Sequence, residues 1–192
     1  MDRAAHFFIL SVIFLLCLLP VICSQSALEY IRVFSGNAIT NMTIYKNRGG
    51  NKVYVLHFST EHWSVLATDR LQRTTKLSRQ NNCTWASNAG PYHADGSSVG
   101  LVVSQGEIRH ESYGGVGFGL TEDNTQWVIG TPNRSDVPYL SEFVTGFDWL
   151  VRDGAMVNST DTTGAVLAAR TAIGVDDEGR LLLMIIDGCE KW

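Results

Sequence analysis

Apolar residues along this chain come in short runs, rich in β-branched and aromatic side chains, and the runs are cut by Gly, Asn and Asp. That pattern predicts strands and turns rather than long helices. Lys52-Val53-Tyr54-Val55-Leu56-His57-Phe58 reads as a strand behind a hairpin-type break at Asn47-Arg48-Gly49-Gly50-Asn51. Segments 63–67, 100–104, 107–111 and 127–129 read as further strands, and 84–87 as one stopped at Gly90. Segment 71–80 spaces Leu71 and Leu77 among basic and polar residues and predicts a short surface helix. The glycines of 113–120 do not form Gly-x-Gly-x-x-Gly opening a helix, and Asp123-Asn124 follows at once. The region therefore reads as a β-rich turn rather than a nucleotide loop. Segment 133–137 is a loop, and 143–151, apolar with Gly146 inside, is open between a short helix and a strand. The apolar runs 165–172 and Leu181–Ile186 flank a hairpin turn signal, Asp176-Asp177-Glu178-Gly179. No repeat, low-complexity tract or linker divides the chain, so the expectation is one α+β domain with a mixed, sheet-rich core and few helices.

The first residues stand apart. Met1-Asp2-Arg3 precedes a nearly continuous apolar stretch from Ala4 to Cys23, and Pro20, Cys23, Ser24 and Ser26 fit a processing site. Residues 1–23 read as a signal peptide and 24–192 as the mature domain. The alternative is an uncleaved anchor, since about twenty apolar residues can just span a bilayer; only in that case would the chain meet a membrane. Asn-x-Ser/Thr triplets at Asn41, Asn82, Asn133 and Asn158 agree with a secretory route, through the Golgi lumen or to the extracellular space, and predict glycosylation. Cys17 and Cys23 lie in the leader, so Cys83 and Cys189 remain, and in an oxidising lumen two thiols suggest one bridge. No Cys-x-x-Cys spacing supports a zinc or thioredoxin-like site. The net charge of −4 argues against nucleic acid as a partner, and 45% hydrophobic with 18% charged residues argues against disorder.

Three polar clusters sit at the ends of apolar runs, where a rigid scaffold can present them: 88–96, Arg170-Thr171, and Asp187-Gly188. An Arg inside an apolar run needs an anionic partner if it is buried. Arg170 therefore reads either as half of an Arg170–Asp187 ion pair between strands or as an anion clamp, whose guanidinium offers a bidentate fork to phosphate.

Asn88-Ala89-Gly90-Pro91-Tyr92, Gly100-Leu101-Val102-Val103-Ser104, Trp149-Leu150-Val151-Arg152-Asp153-Gly154, and Ala169-Arg170-Thr171-Ala172-Ile173-Gly174 followed by 181–188 together resemble the phosphodiester glycosidase domain family. The resemblance covers roughly residues 64–188. It implies hydrolysis of N-acetylglucosamine-1-phosphodiesters, uncovering mannose 6-phosphate, with phosphorylated N-glycans of glycoproteins as partners and no cofactor or metal. The phosphate leaving group is already a good anion, so the site needs a clamp on phosphate, polar groups for the sugar, and a carboxylate. The resemblance gives Arg170 and Asp187 the catalytic roles of clamp and carboxylate, with Glu107 a distant second carboxylate. Asn88 and Thr171 would bind substrate. His93 beside Asp95 is either an acid or a His in a solvated turn. Pro91 and His93 interrupt the family's first motif, and Ser98 stands where a Cys commonly precedes the Gly-x-Val-Val strand. The family domain continues past Asp-Gly into a helix and a Leu-Asp-Gly-Gly-Gly-Ser motif, so the domain reads as incomplete at the C-terminus and its turnover is expected to be weak. The alternative is an inactive secreted glycoprotein that keeps the scaffold as a binding module.

Overall fold

The computed structural model describes residues 27–33, 41–46, 52–58, 63–68, 72–157 and 169–186. In chain order these form β1 (Ala27–Arg32), β2 (Asn41–Lys46), β3 (Lys52–Phe58), α1 (Thr74–Gln80), β4 (Val102–Ser104), β5 (Glu107–His110), β6 (Gly117–Thr121) and β7 (Gln126–Thr131). A 3-10 turn at Val137–Tyr139 leads into β8 (Leu140–Thr145), followed by β9 (Val151–Arg152), β10 (Ala155–Met156), β11 (Arg170–Val175) and β12 (Leu181–Ile186). One sheet has six strands in the order β1-β7-β6-β8-β4-β5, a second has four in the order β11-β12-β3-β2, and β9 and β10 form a separate hairpin. The domain is mostly β, which the sheet-rich part of the expectation anticipated. The mixed sheet is a correction, because every described strand pairing is antiparallel. Parallel neighbours need crossovers of a dozen or more residues, usually helical. Among the described residues, however, the single α-helix is the seven-residue α1, and the successive strands that pair, β2–β3, β4–β5, β6–β7, β9–β10 and β11–β12, do so as antiparallel neighbours.

The turns follow from their side chains. Gln105 and Gly106 join β4 to β5, and Asp153 and Gly154 join β9 to β10; all four take positive φ, as two-residue hairpins of the twisted kind require. Between β6 and β7, Asp123 accepts hydrogen bonds from the hydroxyls of Thr121 (2.6 Å) and Thr125 (2.8 Å) and from the Thr125 N–H. These donors, Thr121 foremost, hold its carboxyl below the usual carboxylate range. At the β11–β12 turn, Asp176 accepts from the N–H of Glu178, the N–H of Arg180 and the Arg180 guanidinium (2.7 Å). β2 and β3 pair with Lys46 opposite Lys52; the expected break at 47–51 lies outside the described residues. Segments 63–67 and 84–87, expected as strands, are irregular.

Alternation along β7 divides the core. Val128 joins Leu101, Val103, Val137, Leu140 and Phe143 on one face. Trp127 joins Phe118, Leu120 and Leu181 on the other, against Trp63 and Ile173, so this second cluster fastens the four-stranded sheet to the six-stranded one. The glycine run misread as a turn is the buried strand β6. Phe118 and Leu120 face the second cluster, while Gly117 and Gly119 lie under the Phe143 ring. A Cβ at Gly117 would stand 2.5 Å from Phe143 Cε1, so the small residues make room for the ring.

Glu142 is buried beside Phe143 at 6% exposure. Its carboxylate accepts the N–H of Val65 at 2.9 Å and of Gln105 at 3.2 Å, while the Ser104 hydroxyl donates to the Val65 carbonyl at 2.6 Å. A side chain thus pins 63–68 to the sheet where a strand was expected. Burial pushes the Glu142 carboxyl up, and the two N–H donors only partly offset this. A carboxyl raised in the folded state stabilises the fold fully below its unfolded value and loses that contribution as pH rises through the folded one. The melting-temperature advantage of the native protein over Glu142→Gln should therefore be greatest in acid and shrink toward neutral pH. Thermal melts across about pH 4 to 7 check this, and an advantage that grows with pH would contradict it.

Candidate active site at one end of the six-stranded sheet

β11 crosses toward the six-stranded sheet with its two ends in different surroundings. Its C-terminal end and the start of β12 lie over Trp127, whose indole N–H donates to the Gly179 carbonyl at 3.0 Å. Its N-terminal end reaches the 88–90 segment, where the Thr171 hydroxyl donates to Asn88 Oδ1 at 2.8 Å. This bond, made across 83 residues of chain, joins two of the residues singled out in the sequence. It also fixes the Asn88 amide with Oδ1 engaged and Nδ2 as the donor side.

Arg170 is the neighbour of Thr171 and the first residue of β11. It is exposed, and its guanidinium donates to the Ala169 carbonyl at 3.1 Å. The apolar pattern of 165–172 had set it inside a core strand. The strand begins at Arg170 instead, so its side chain stands at the exposed end of β11 rather than inside a core strand. In the β11–β12 register Arg170 stands opposite Ile186, the residue before Asp187. Asp187 itself lies outside the described residues, as do Asn158 and Cys189.

The other candidates separate from this group. Glu107 lies at the far end of the β4–β5 hairpin, exposed and paired with Arg109 at 2.7 Å. His93 is exposed in a tight turn closed by the Tyr92–Ser98 bridge. The Asp95 carboxylate accepts the backbone N–H and hydroxyl of Ser97, which hold it below the usual carboxylate range, so it is committed to the turn. Asn82 is exposed with φ 52° just past α1. Asn133 is half-buried, with Oδ1 accepting from the N–H and hydroxyl of Ser135, the third residue of its own triplet. Asn41 begins β2, opposite His57. Cys83 carries a free thiol and is the only cysteine among the described residues.

Two residues with consequences escaped the sequence reading. Glu142 carried the signal already applied to Arg170, a charge within an apolar run. Thr145 carried none, although three separate loops close on it. Among the described residues no helix is long and apolar enough to cross a membrane, and no three His, Cys, Asp or Glu gather as a metal site.

The phosphodiester glycosidase family model matches residues 81–191, more than half of the chain. N-acetylglucosamine-1-phosphodiester alpha-N-acetylglucosaminidase of Bos taurus is 32% identical over 146 residues, covering 64% of this chain and 27% of its own length. The Homo sapiens protein of the same name is 32% identical, covering 64% of this chain and 28% of its own length. The chain thus spans about a quarter of the length of these curated relatives. Among solved structures, the zebrafish catalytic domain of that name, described as auto-inhibited by its pro-peptide, superposes with a TM-score of 0.68 at 21% identity. That superposition covers 84% of this chain and 66% of the zebrafish one, and shows a common fold. With the family model covering the Asn88 loop, β4 to β12 and the Arg170-Thr171 pair, this chain belongs to the phosphodiester glycosidase family.

Proposed function

We propose that this chain hydrolyses N-acetylglucosamine-1-phosphodiesters, releasing the sugar and exposing the phosphomonoester, with mannose 6-phosphate on glycoprotein N-glycans as the product group. The observation that carries this reading is the Thr171–Asn88 hydrogen bond, with the exposed Arg170 next to Thr171 at the start of β11. In the reaction the oxygen of water bonds to C1 of the sugar. The C1–O bond to phosphate breaks, the electron pair leaves with the phosphate oxygen, and the water proton passes to a base. Arg170 grips the phosphate through two parallel N–H bonds, which strengthen as the leaving oxygen gains charge. Asn88, with Oδ1 held by Thr171, offers its Nδ2 to a phosphate or sugar oxygen. Asp187, next in sequence to the Ile186 that faces Arg170, is the carboxylate for water or for the oxocarbenium-like centre.

The same reading takes the chain through the secretory pathway, glycosylated at its Asn-x-Ser/Thr triplets. One experiment tests both parts. Eukaryotic cells expressing the chain should release it into the medium in a form whose gel mobility shifts on glycosidase treatment. The purified protein should free N-acetylglucosamine from an N-acetylglucosamine-α-1-phospho-mannose substrate, as read by mass spectrometry. Retention in the cell without a mobility shift overturns the secretory part. Binding of that substrate without turnover overturns the hydrolase and leaves a binding module.

A further inference from the structure

The residue that fixes where Asn88 stands is not in the Asn88 loop. The geometry points to Thr145, the last residue of β8, as a positioning residue that holds both feet of the loop from Gly90 to Gly100, and through it Asn88, against Thr171. This inference rests on the proposed function for its kinetic consequence.

Thr145 is 4% exposed. Its backbone carbonyl stands where a Cβ on Gly90 would have to go. Its Cβ and methyl lie 2.5 and 2.6 Å from where a Cβ on Gly100 would be, and its methyl fills the corresponding place at Gly115. Gly100 also takes φ +89°, a conformation other residues rarely adopt. Three glycines thus bring three backbones against one residue, Gly100 and Gly115 against its side chain and Gly90 against its carbonyl. The Thr145 hydroxyl and N–H both donate to the Leu101 carbonyl, at 3.1 and 3.0 Å, which fixes the χ1 rotamer and so aims the methyl. The adjacent Gly146 N–H donates to the Val116 carbonyl at 2.8 Å, tying the third segment to the same strand end.

Gly90 and Gly100 begin and end one excursion of the chain. Between them the Val99 N–H donates to the Pro91 carbonyl at 2.9 Å, and the Tyr92–Ser98 bridge zips the stem. Asn88 lies two residues outside the first foot. With the loop braced on Thr145 at one side and bonded to Thr171 at the other, the Asn88 amide is supported from both sheets. A shift of the braced feet moves the amide relative to Arg170, and misplacement by about 1 Å is enough to lower a rate by about a hundredfold.

The test compares Thr145→Ile, which adds a methylene in a space with none to spare, with Thr145→Val, which keeps the shape and loses only the hydroxyl. Leu101 retains the backbone N–H bond in both variants. Thr145→Ser, which loses the methyl, takes the place of Thr145→Ile if that variant does not fold. Amide hydrogen exchange on the intact chain is the first readout. Thr145→Ile, or Thr145→Ser to a smaller degree, should speed exchange across 85–101, with β6 and β7 unchanged and Thr145→Val close to the native protein. The second readout is kinetics per folded molecule, where kcat should fall by at least about tenfold in Thr145→Ile while KM moves less than about twofold. Unchanged exchange across 85–101 overturns the role of Thr145 whatever the activity. Faster exchange with unchanged kcat in an active protein reduces Thr145 to a structural residue and overturns it too. If the native protein shows no turnover at all, the proposed function fails, and the exchange data still decide whether Thr145 holds the loop.

Discussion

Replacing Trp127 by alanine is expected to lower the unfolding free energy by about 3–5 kcal/mol, the largest stability loss of any single change considered. Trp127 is fully buried and stands where the two sheets meet. Its ring contacts Trp63 edge-on at 5.7 Å and Phe118 at 5.2 Å between centroids, and Leu181 reaches it from the four-stranded sheet. Alanine would empty a volume that strands from both sheets line and that neither can collapse into without breaking its ladder. It would also leave the Gly179 carbonyl, now held by the indole N–H, without that donor. Trp127→Phe keeps one ring but loses the indole N–H with part of the ring volume, and should cost about 1–3 kcal/mol, chiefly for the buried acceptor left unpaired. Since a typical domain has only about 5–15 kcal/mol to lose, Trp127→Ala should be largely unfolded near body temperature. Urea titrations followed by far-UV circular dichroism measure both variants. A loss below about 1 kcal/mol for Trp127→Ala would show that the two sheets do not depend on this contact.

Arg170→Lys carries the largest expected effect on activity. In the proposed reaction Arg170 meets the phosphate with a planar fork, and lysine keeps the charge while losing the second parallel bond and its fixed angle. Removing one well-placed donor to a developing oxyanion typically costs about 10²–10³ in kcat. The residue is exposed at the first position of β11, so the melting temperature should hardly move, with a stability change within about 0.5 kcal/mol. Rates on a sugar-1-phosphodiester, with a melt recorded on the same preparation, separate these outcomes. Full activity in Arg170→Lys would reduce the clamp to a point charge. A large loss of stability would assign Arg170 to the fold instead.

What could be read in the sequence was whatever depends on near neighbours. The Leu181–Ile186 run and the Asp176 turn announce a hairpin because the turn's acceptor and its donors lie within four residues of each other. The Gly117 to Gly119 stretch was misread for the opposite reason. Glycine signals a turn locally, and only Phe143, brought over it from β8, explains why it is a buried strand. Segment 63–67 looked like a strand for its apolar content, but what holds it is Glu142 and Ser104, far along the chain. The candidate site shows the same division. Asn88, Arg170 and Thr171 were singled out through motifs they share with a family. The Thr145 brace consists of three glycines and a threonine that no local pattern connects.

The order of the strands has a bearing on how the chain comes to fold. β1 lies beside β7, and β3 beside β12, the last described strand. As the chain emerges from its N-terminus, β1, β2 and β3 appear before β7 and β12, the later partners of β1 and β3, with Ile44 and Tyr54 among their apolar residues. The β6–β7 hairpin, and β8 laid back along β6, can form early from segments close in sequence, whereas the four-stranded sheet must wait until nearly all the described chain has been made. Closing such long loops is costly before their contacts form, so folding should be slow and limited by the docking of β12 onto β3. Until then the unpaired edge of the β2–β3 hairpin is open to pairing with another nascent copy. Yield from cells should thus depend on chaperone capacity during synthesis more than on the stability of the finished protein.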